Sequence, residues 1–342
     1  MKQKIISCIL IFTTGIFLTS LLVGWVGKPV LVDTSSIARS AGKGLLLLEK
    51  SGHEFIQKGR CVSCHHNIQS CLAMEIARSK GIPVIDSLSQ MWTMGMVQGI
   101  NRVVNDNMIN EFVTAKFLGA YALFGLAAVK YPACNSTDMV VNYLLNQERP
   151  DGSFGSEAMR VPLESGEIHL AALAIHGITV FAPASKQTQV GDAVNRTKHF
   201  LESADPDNQQ EIVFQLLGLH WINGSGEKES IVAKKLISLQ RADGGWSQLP
   251  TMGSDAYATG QALYALYESG LIKPEDEVYQ KGIRYLLGTQ DDAGAWIVLT
   301  RSSPIQPFFS SGFPPYDENQ FISASASNWA VMALLIALPD KS

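Results

Sequence analysis

The sequence predicts an all-α protein, an α/α toroid of about six helical hairpins behind an N-terminal membrane anchor or signal segment. A short unit recurs, in which a Gln at a helix end is followed by a Gly turn and a large aromatic residue: Gln147 with Gly152 and Phe154, Gln240 with Gly244 and Trp246, and Gln290 with Gly294 and Trp296. No stretch alternates as a strand would. Because one hairpin cannot bury its own apolar face, repetition at intervals of tens of residues indicates stacked helical repeats.

Composition limits the classes of partner. The chain has 342 residues, of which 46% are hydrophobic and 17% are charged, so it can bury a large core. Its formal net charge is −4, and no basic run is interleaved with aromatic residues. We therefore expect no nucleic-acid binding, and instead small-molecule, lipid or protein partners.

Residues 1–40 are predicted to form a signal or anchor segment and a tether. Residues 5–27 are an uncharged apolar run behind Lys2 and Lys4, long enough to span a bilayer with the positive flank in the cytoplasm. A cleaved signal peptide is the alternative, although no small-residue cleavage site follows directly. Either way, we expect an exported domain, periplasmic or on the extracytoplasmic face, that contacts the membrane through this segment.

Residues 41–342 are predicted to form one domain of six hairpins, each an outer helix followed by an inner helix. The first hairpin ends near residue 80 and contains a Cys-rich turn at residues 58–71. The other five are expected at residues 87–129, 136–181, 191–221, 227–269 and 274–338. Six such pairs would close a ring. The proline-rich and aromatic residues 297–320 either cover one mouth of that ring or pack over its closing seam.

The three repeats QRADGGWS, NQERPDGSFG and TQDDAGAW resemble the Gln–Trp repeats of squalene–hopene cyclases and related prenyltransferase-like repeat proteins. The resemblance implies an α/α toroid with an apolar central cavity, and therefore an apolar ligand, for which an isoprenoid is a candidate. In the squalene cyclases an Asp-x-Asp-Asp-Thr-Ala motif supplies the acid that protonates an alkene. The matching stretch here keeps Asp255 and Thr259 but has Tyr257 and Ala258 in place of the later acids. We therefore expect Asp255 to be a helix N-cap.

The most specific chemical motif is the string CVSCH at residues 61–65. It resembles the haem-attachment site of cytochromes c, which implies a covalent c-type haem with thioethers from Cys61 and Cys64 and with His65 as the iron ligand. Such attachment takes place outside the cytoplasm in bacteria, which agrees with the predicted export.

Three other interpretations of the Cys-rich turn stay open. Cys61 and Cys64 could form a disulfide, or the two could bind zinc together with His65 or His66 and with Cys71. A thioredoxin-like redox role is a third alternative, although no βαβ context accompanies the motif. Cys134 is expected to be a buried thiol or a disulfide partner of Cys71.

Several residues on the predicted inner helices could serve either function or packing. Glu164, Glu167 and His169 stand at the start of an inner helix, where they either face a mouth of the ring or simply suit the helix dipole. His176 and His220 lie on apolar helices and are expected to be hydrogen-bonded core histidines.

Two functions follow from these observations. The first is an exported squalene cyclase-like repeat protein that carries a covalent c-type haem, binds an apolar ligand, transfers electrons to a redox partner protein, or combines these roles. The alternative is an isoprenoid or triterpene cyclase-like enzyme with a non-standard acid motif and a structural Cys turn. Fold alone assigns neither chemistry.

Overall fold

The computed structural model describes residues 31–105, 115–156, 160–223, 226–303 and 310–341. Within these residues the regular structure is helical, apart from two isolated β-bridges that pair Arg160 with Glu164 and Trp246 with Asp255. The predicted apolar segment 5–27 lies outside the described residues. None of the helices in the described ranges is long and apolar enough to cross a membrane.

Twelve α-helices are found in the described part of the chain: α1 Thr34–Gly59, α2 Gln69–Ser79, α3 Asp86–Asn105, α4 Ala115–Ala128, α5 Asn135–Gln147, α6 Glu167–Phe181, α7 Gln187–Ser203, α8 Gln209–Trp221, α9 Gly226–Ser238, α10 Ala256–Glu268, α11 Glu277–Thr289 and α12 Gln320–Ile336. A π-helical turn, Cys64–Ile68, leads into α2, and a 3₁₀ turn, Ala184–Lys186, precedes α7. These helices match the six predicted hairpins in order and number.

The even-numbered helices form the inner ring. Each of α4, α6, α8, α10 and α12 packs against its even-numbered neighbours, and α2 contacts both α4 and α12, so the ring is closed. Inner helices such as α12 are buried on nearly every face and carry almost only small or apolar residues. Outer helices bury one stripe, as α11 does with Tyr279, Ile283 and Leu286. Burial on all sides is therefore confined to the inner layer.

The Gln–Gly–Trp unit joins outer helices to one another, as its repetition predicts. The Gln240 amide donates to the carbonyl of Gly244 at 2.9 Å and to that of Val278, at the start of the next outer helix, at 2.8 Å. The buried indole of Trp246 donates to the Leu236 carbonyl at 2.8 Å. Gly244 has φ +89°, and a Cβ there would lie 2.5 Å from the carbonyl oxygen of Lys281. The turn therefore requires glycine.

In the 140s the residue that fills the Gln position is Glu148 and not, as predicted, Gln147. Glu148 lies four residues before Gly152, the same spacing as Gln240 to Gly244, and it is the C-cap of α5. Its carboxylate pairs with Arg196 and accepts a bond from Thr197 at 3.3 Å, both on the next outer helix. The spacing of the repeat is therefore kept, with Glu148 in place of the glutamine and Gln147 one residue before it.

The described parts of the predicted proline-rich loop contact the end of α1, the π-helical turn and the turn that precedes α10. The Lys58 ammonium donates to the Ser310 carbonyl at 2.9 Å, and the Ser311 hydroxyl lies 2.8 Å from the His66 ring. At its start, Arg301 reaches the Gln248 side chain at 2.9 Å. The loop also contacts the start of α12 through Asn319 and Gln320. These contacts agree with either predicted role, cover of a mouth or packing at the closing seam, and residues 304–309 lie outside the described ranges.

Candidate functional site

The six inner helices begin at one end of the ring, which we call the N-terminal mouth, and finish at the other, the C-terminal mouth. The residues predicted from sequence to carry chemistry lie at the N-terminal mouth. The resemblance implies an apolar central cavity, and a cavity lies at the C-terminal mouth.

The Cys-rich turn is held at the N-terminal mouth by its own polar side chains. Ser63 is the N-cap of the π turn, and its hydroxyl accepts from the His66 amide at 3.1 Å. The Asn67 side chain accepts from the Ser63 amide and donates to the Gly52 carbonyl, both at 3.0 Å. As a result Cys64 is buried, while Cys61 is exposed.

His65 is packed between aromatic rings. Its imidazole stacks on Phe321 with a centroid separation of 4.9 Å and meets the edge of Phe55 at 5.3 Å. Nδ1 contacts Nδ1 of His66 and lies 3.4 Å from the Ser63 hydroxyl, whereas Nε2 has no hydrogen bond to any described residue. Burial lowers the pKa of His65 to about 3, so the ring is neutral near pH 7.

Among the described cysteines, Cys61, Cys64, Cys71 and Cys134 form no disulfide with one another. Cys71 is buried on α2, close to Ser89 and Thr93 of α3. Among the residues that the structure describes, no group of three or more Cys, His, Asp or Glu could hold a metal ion. Burial, reinforced by the charge of Glu164, raises the pKa of Cys64 well above its usual range.

Asp255 is the N-cap of α10, as the sequence predicts. One carboxylate oxygen accepts from the Ala258 amide at 2.9 Å and the other from the Gln248 side chain at 3.0 Å. Desolvation raises the pKa of Asp255, while these two donors and the nearby Arg301 lower it. Both oxygens thus act as acceptors, as the cap role requires, while burial is the largest influence and raises the pKa overall.

A chain of buried polar side chains crosses the N-terminal mouth. The Tyr257 hydroxyl donates to the Gln210 side chain at 2.5 Å, and the Gln210 amide nitrogen lies 3.0 Å from Nδ1 of His169. Nε2 of His169 lies 3.1 Å from the Tyr121 hydroxyl. His169 therefore faces this mouth rather than only accompanying the helix dipole. Beside the chain, the buried carboxylate of Glu164 pairs with Arg160 at 2.5 Å, and burial raises its pKa.

The cavity at the C-terminal mouth has a volume of about 420 Å³ and lies on the axis of the ring. Every inner helix contributes to its wall through residues at or near its last turns. The apolar and aromatic lining comprises Leu72, Ile76, Phe124, Ala127, Ala128, Val180, Trp221, Tyr264, Tyr267 and Ile336, and the polar lining comprises Glu75, Ser79, Lys80, His176, Glu268 and Asp340. The arrangement is an apolar chamber with charged groups in its lining.

Aromatic rings form one side of this chamber. The His176 ring lies 4.3 Å from Trp221, and Phe124 lies 5.6 Å from Trp221. The interpretation of His176 as a hydrogen-bonded core residue is wrong, because its imidazole has no hydrogen bond to any described residue and lines the cavity instead. Burial lowers the pKa of His176 to about 4. His220, by contrast, contacts Glu229 at 3.0 Å on a partly exposed surface.

Most of the charged groups in the lining already have partners. The Lys80 ammonium contacts Asp340 at 2.7 Å and the Leu338 carbonyl at 2.8 Å, and Glu75 pairs with Arg78. Glu268 has no ion pair or hydrogen bond within the described ranges, and burial raises its pKa. A single carboxylate therefore remains available to a ligand.

The sequence matches no protein-family profile and no curated protein. Solved structures do match. The type II terpene cyclase MstE from Scytonema superimposes with a TM-score of 0.58 at 11% identity, over 90% of this chain and 99% of that one. A complex of an MstE variant with its substrate, geranylgeranyl dihydroxybenzoate, has a TM-score of 0.56 at 13% identity, over 90% of this chain and 98% of that one. A protein from Actinoplanes has a TM-score of 0.53 at 12% identity, over 90% of this chain and 100% of that one. The chain therefore has a terpene-cyclase-like α/α fold.

Proposed function

We propose that this chain binds an elongated apolar molecule of the isoprenoid class in the cavity at the C-terminal mouth. The observation that carries the proposal is the cavity itself, which lies on the ring axis and takes part of its wall from all six inner helices. Its volume of about 420 Å³ falls in the range of small-molecule sites, and aromatic and aliphatic side chains make up most of its wall. Side chains from six helices give a ligand apolar contact on several sides. Burial of apolar surface in these contacts favours binding.

The structural neighbours support this ligand class. MstE binds geranylgeranyl dihydroxybenzoate as substrate and merosterolic acid A as product. At 11 to 13% identity, the structural similarity shows a shared fold but does not show that the residues of the MstE binding site are shared. The ligand class is therefore inferred from the cavity wall together with these neighbours.

Protonation of an alkene by Asp255 is not part of the proposal. Its two oxygens are engaged as hydrogen-bond acceptors by Ala258 and Gln248, and Asp255 lies at the opposite mouth from the cavity. A general acid must deliver its proton to the substrate, and Asp255 is held by cap donors at the other mouth from the cavity in which the substrate is proposed to bind.

Filling the cavity tests the proposal. We expect geranylgeraniol to quench the tryptophan fluorescence of the full chain through Trp221, and we expect the Ala128→Phe variant to lower the affinity at least tenfold, because the added ring occupies the chamber. Leu299→Phe is the matched control, since Leu299 is 70% exposed and does not line the cavity. Equal affinity in the two variants, or no binding by the wild type, would refute the proposal.

A second candidate function is covalent attachment of a c-type haem at the N-terminal mouth. The observation that favours it is Nε2 of His65, which has no hydrogen bond to a described residue, while Nδ1 of the same ring is already engaged. Cys61 is exposed and Cys64 lies one residue before His65, so the donor set has the chemistry that a c-type haem requires. Cys61 and Cys64 would form the thioethers and His65 would bind the iron, which would supply a one-electron redox centre.

Expression in an export-competent host with a haem-attachment system tests this second candidate. We expect a Soret band that survives acid–acetone extraction and a mass increase of one haem, and we expect both to be lost in the Cys61→Ala, Cys64→Ala double variant. Cys134→Ala is the control, because Cys134 caps α5 away from the motif. A colourless wild type from such a host would exclude the haem.

A further inference from the structure

We propose that the ligand of the C-terminal cavity carries an uncharged hydrogen-bond-donating end, such as a hydroxyl group, and that Glu268 is the residue that binds this end. The inference rests on the proposed function and narrows its ligand class from isoprenoids in general to isoprenoid alcohols, as distinct from hydrocarbons and from prenyl diphosphates.

The charges in the cavity wall do not suit a diphosphate. The titratable side chains that line the cavity include three carboxylates, Glu75, Glu268 and Asp340, and one ammonium group, Lys80. Lys80 is already bound to Asp340 and to the Leu338 carbonyl, and only 9% of its side chain is exposed. A diphosphate would therefore meet mostly negative charge and no free cation among the described lining residues. Diphosphate recognition relies on Arg, Lys or metal clamps, which this wall does not offer.

Two hydrogen-bonding side chains in the cavity wall have no described hydrogen-bond partner. Glu268 and His176 both line the cavity, and neither has a hydrogen bond to another described side chain. Glu75 differs, because Arg78 already engages it. Glu268 is exposed to solvent, and an apolar ligand that binds in the cavity displaces water from its carboxylate. A donor on the ligand replaces the lost hydration, which a hydrocarbon cannot do. A hydroxyl group supplies such a donor without adding charge.

Glu268 stands at the end of an aromatic surface. Glu268 is the last residue of α10, and Tyr264, one turn earlier, lines the same chamber. Tyr264 contacts the buried Trp329 with ring centroids 5.3 Å apart, so the wall continues as aromatic surface toward the ring interior. A ligand with its hydroxyl group at Glu268 can therefore lay its apolar chain on this aromatic surface.

Three probes of equal chain length test the inference with the full chain: geranylgeraniol, the corresponding C20 hydrocarbon, and geranylgeranyl diphosphate. We expect the alcohol to bind at least tenfold more tightly than either of the others. Glu268→Leu should weaken binding of the alcohol by about tenfold, the worth of one hydrogen bond to a charged group, and leave the hydrocarbon unchanged. Glu227→Leu is the control, because Glu227 is exposed on α9 and does not line the cavity.

Ionic strength gives a second readout of the charge argument. Glu268→Gln should improve binding of the diphosphate several-fold, and so should raising NaCl from about 0.01 M to about 1 M, which shortens the Debye length from about 30 Å to about 3 Å. Equal binding of alcohol and hydrocarbon by the wild type, tighter binding of the diphosphate, or an unchanged alcohol affinity in Glu268→Leu would overturn the inference while leaving isoprenoid binding in place. Failure of all three probes to bind would overturn the proposed function, and this inference with it.

Discussion

At Asp255 one carboxylate connects three parts of the N-terminal mouth. It caps α10 through Ala258, receives the Gln248 amide, and through Gln248 is linked to Arg301 of the proline-rich loop. Desolvation raises its pKa, yet every close partner is a donor. The side chain is therefore used as an acceptor, which needs oxygen atoms and not a titratable proton.

This use of Asp255 predicts different outcomes for two substitutions. Asp255→Asn should keep nearly the wild-type free energy of unfolding, because Asn caps a helix about as well as Asp, whereas Asp255→Ala should lose about 1 kcal/mol or more. Chemical denaturation measures both. Affinity for geranylgeraniol should be the same in all three proteins. If the wild type cyclised squalene or a shorter polyprenyl substrate and Asp255→Asn did not, Asp255 would be an acid and the cap role would be insufficient.

Single residues differ in how far the sequence could reveal them. The Asp255 cap could be predicted because a cap and its helix are neighbours in the chain. The position of His176 in the cavity wall could not be predicted. An apolar helix with one histidine has the same sequence pattern whether the ring bonds to a polar partner or lines a cavity. A signal was nonetheless present: Phe124, His176, Trp221 and Glu268 all lie in or near the last turns of inner helices, so aligning the helix ends by position would have grouped them.

At the scale of elements, the repeated turn shows which contacts are local. The Gln240 bond to Gly244 and the burial of Trp246 stay within one hairpin, so spacing alone predicts them. The second bond of each Gln runs to the next outer helix. In the last repeat this bond joins Gln290 to Ser40, 250 residues away, through the Ser40 carbonyl at 3.0 Å and the Ser40 hydroxyl at 2.6 Å. Only closure of the ring brings these two residues together.

The cavity depends on the same closure. It lies where the last turns of six helices meet, and no two consecutive hairpins enclose it. The count of hairpins predicts the ring, because each helix carries its own apolar periodicity. The enclosed volume depends on how the side chains from all six helices fit, which no local pattern contains.

At the scale of the whole molecule, the ring holds several neutral histidines in its interior. Burial lowers the pKa of His65 and His169 to about 3 and that of His176 to about 4, and it lowers that of His66 as well. The unfolded chain protonates these rings near pH 6.5, so below that pH it binds more protons than the folded chain. Stability conferred by the neutral rings is therefore full above about pH 6.5 and is lost as the pH falls toward 4 to 3.

The carboxylates act in the opposite direction. Burial raises the pKa of Glu164, Asp255 and Glu268, so the folded chain takes up protons on these groups before the unfolded chain does, which offsets part of the loss in acid. The carboxylates are the same in a histidine variant and in the wild type. The difference between their slopes of unfolding free energy against pH therefore reports the histidine alone, which the slope of the wild type does not.

We predict that the free energy of unfolding falls between pH 6.5 and pH 5, and that His176→Phe falls less steeply. Each neutral histidine contributes up to one proton to the difference between the unfolded and folded chains, or about 1.4 kcal/mol per pH unit, and Phe removes that proton while keeping an aromatic ring against Trp221. Urea denaturation at several pH values measures the slope. His199→Asn, a change at an exposed position, should keep the wild-type slope. Identical slopes for His176→Phe and the wild type would mean that solvent or a bound group already reaches the His176 ring in the folded chain.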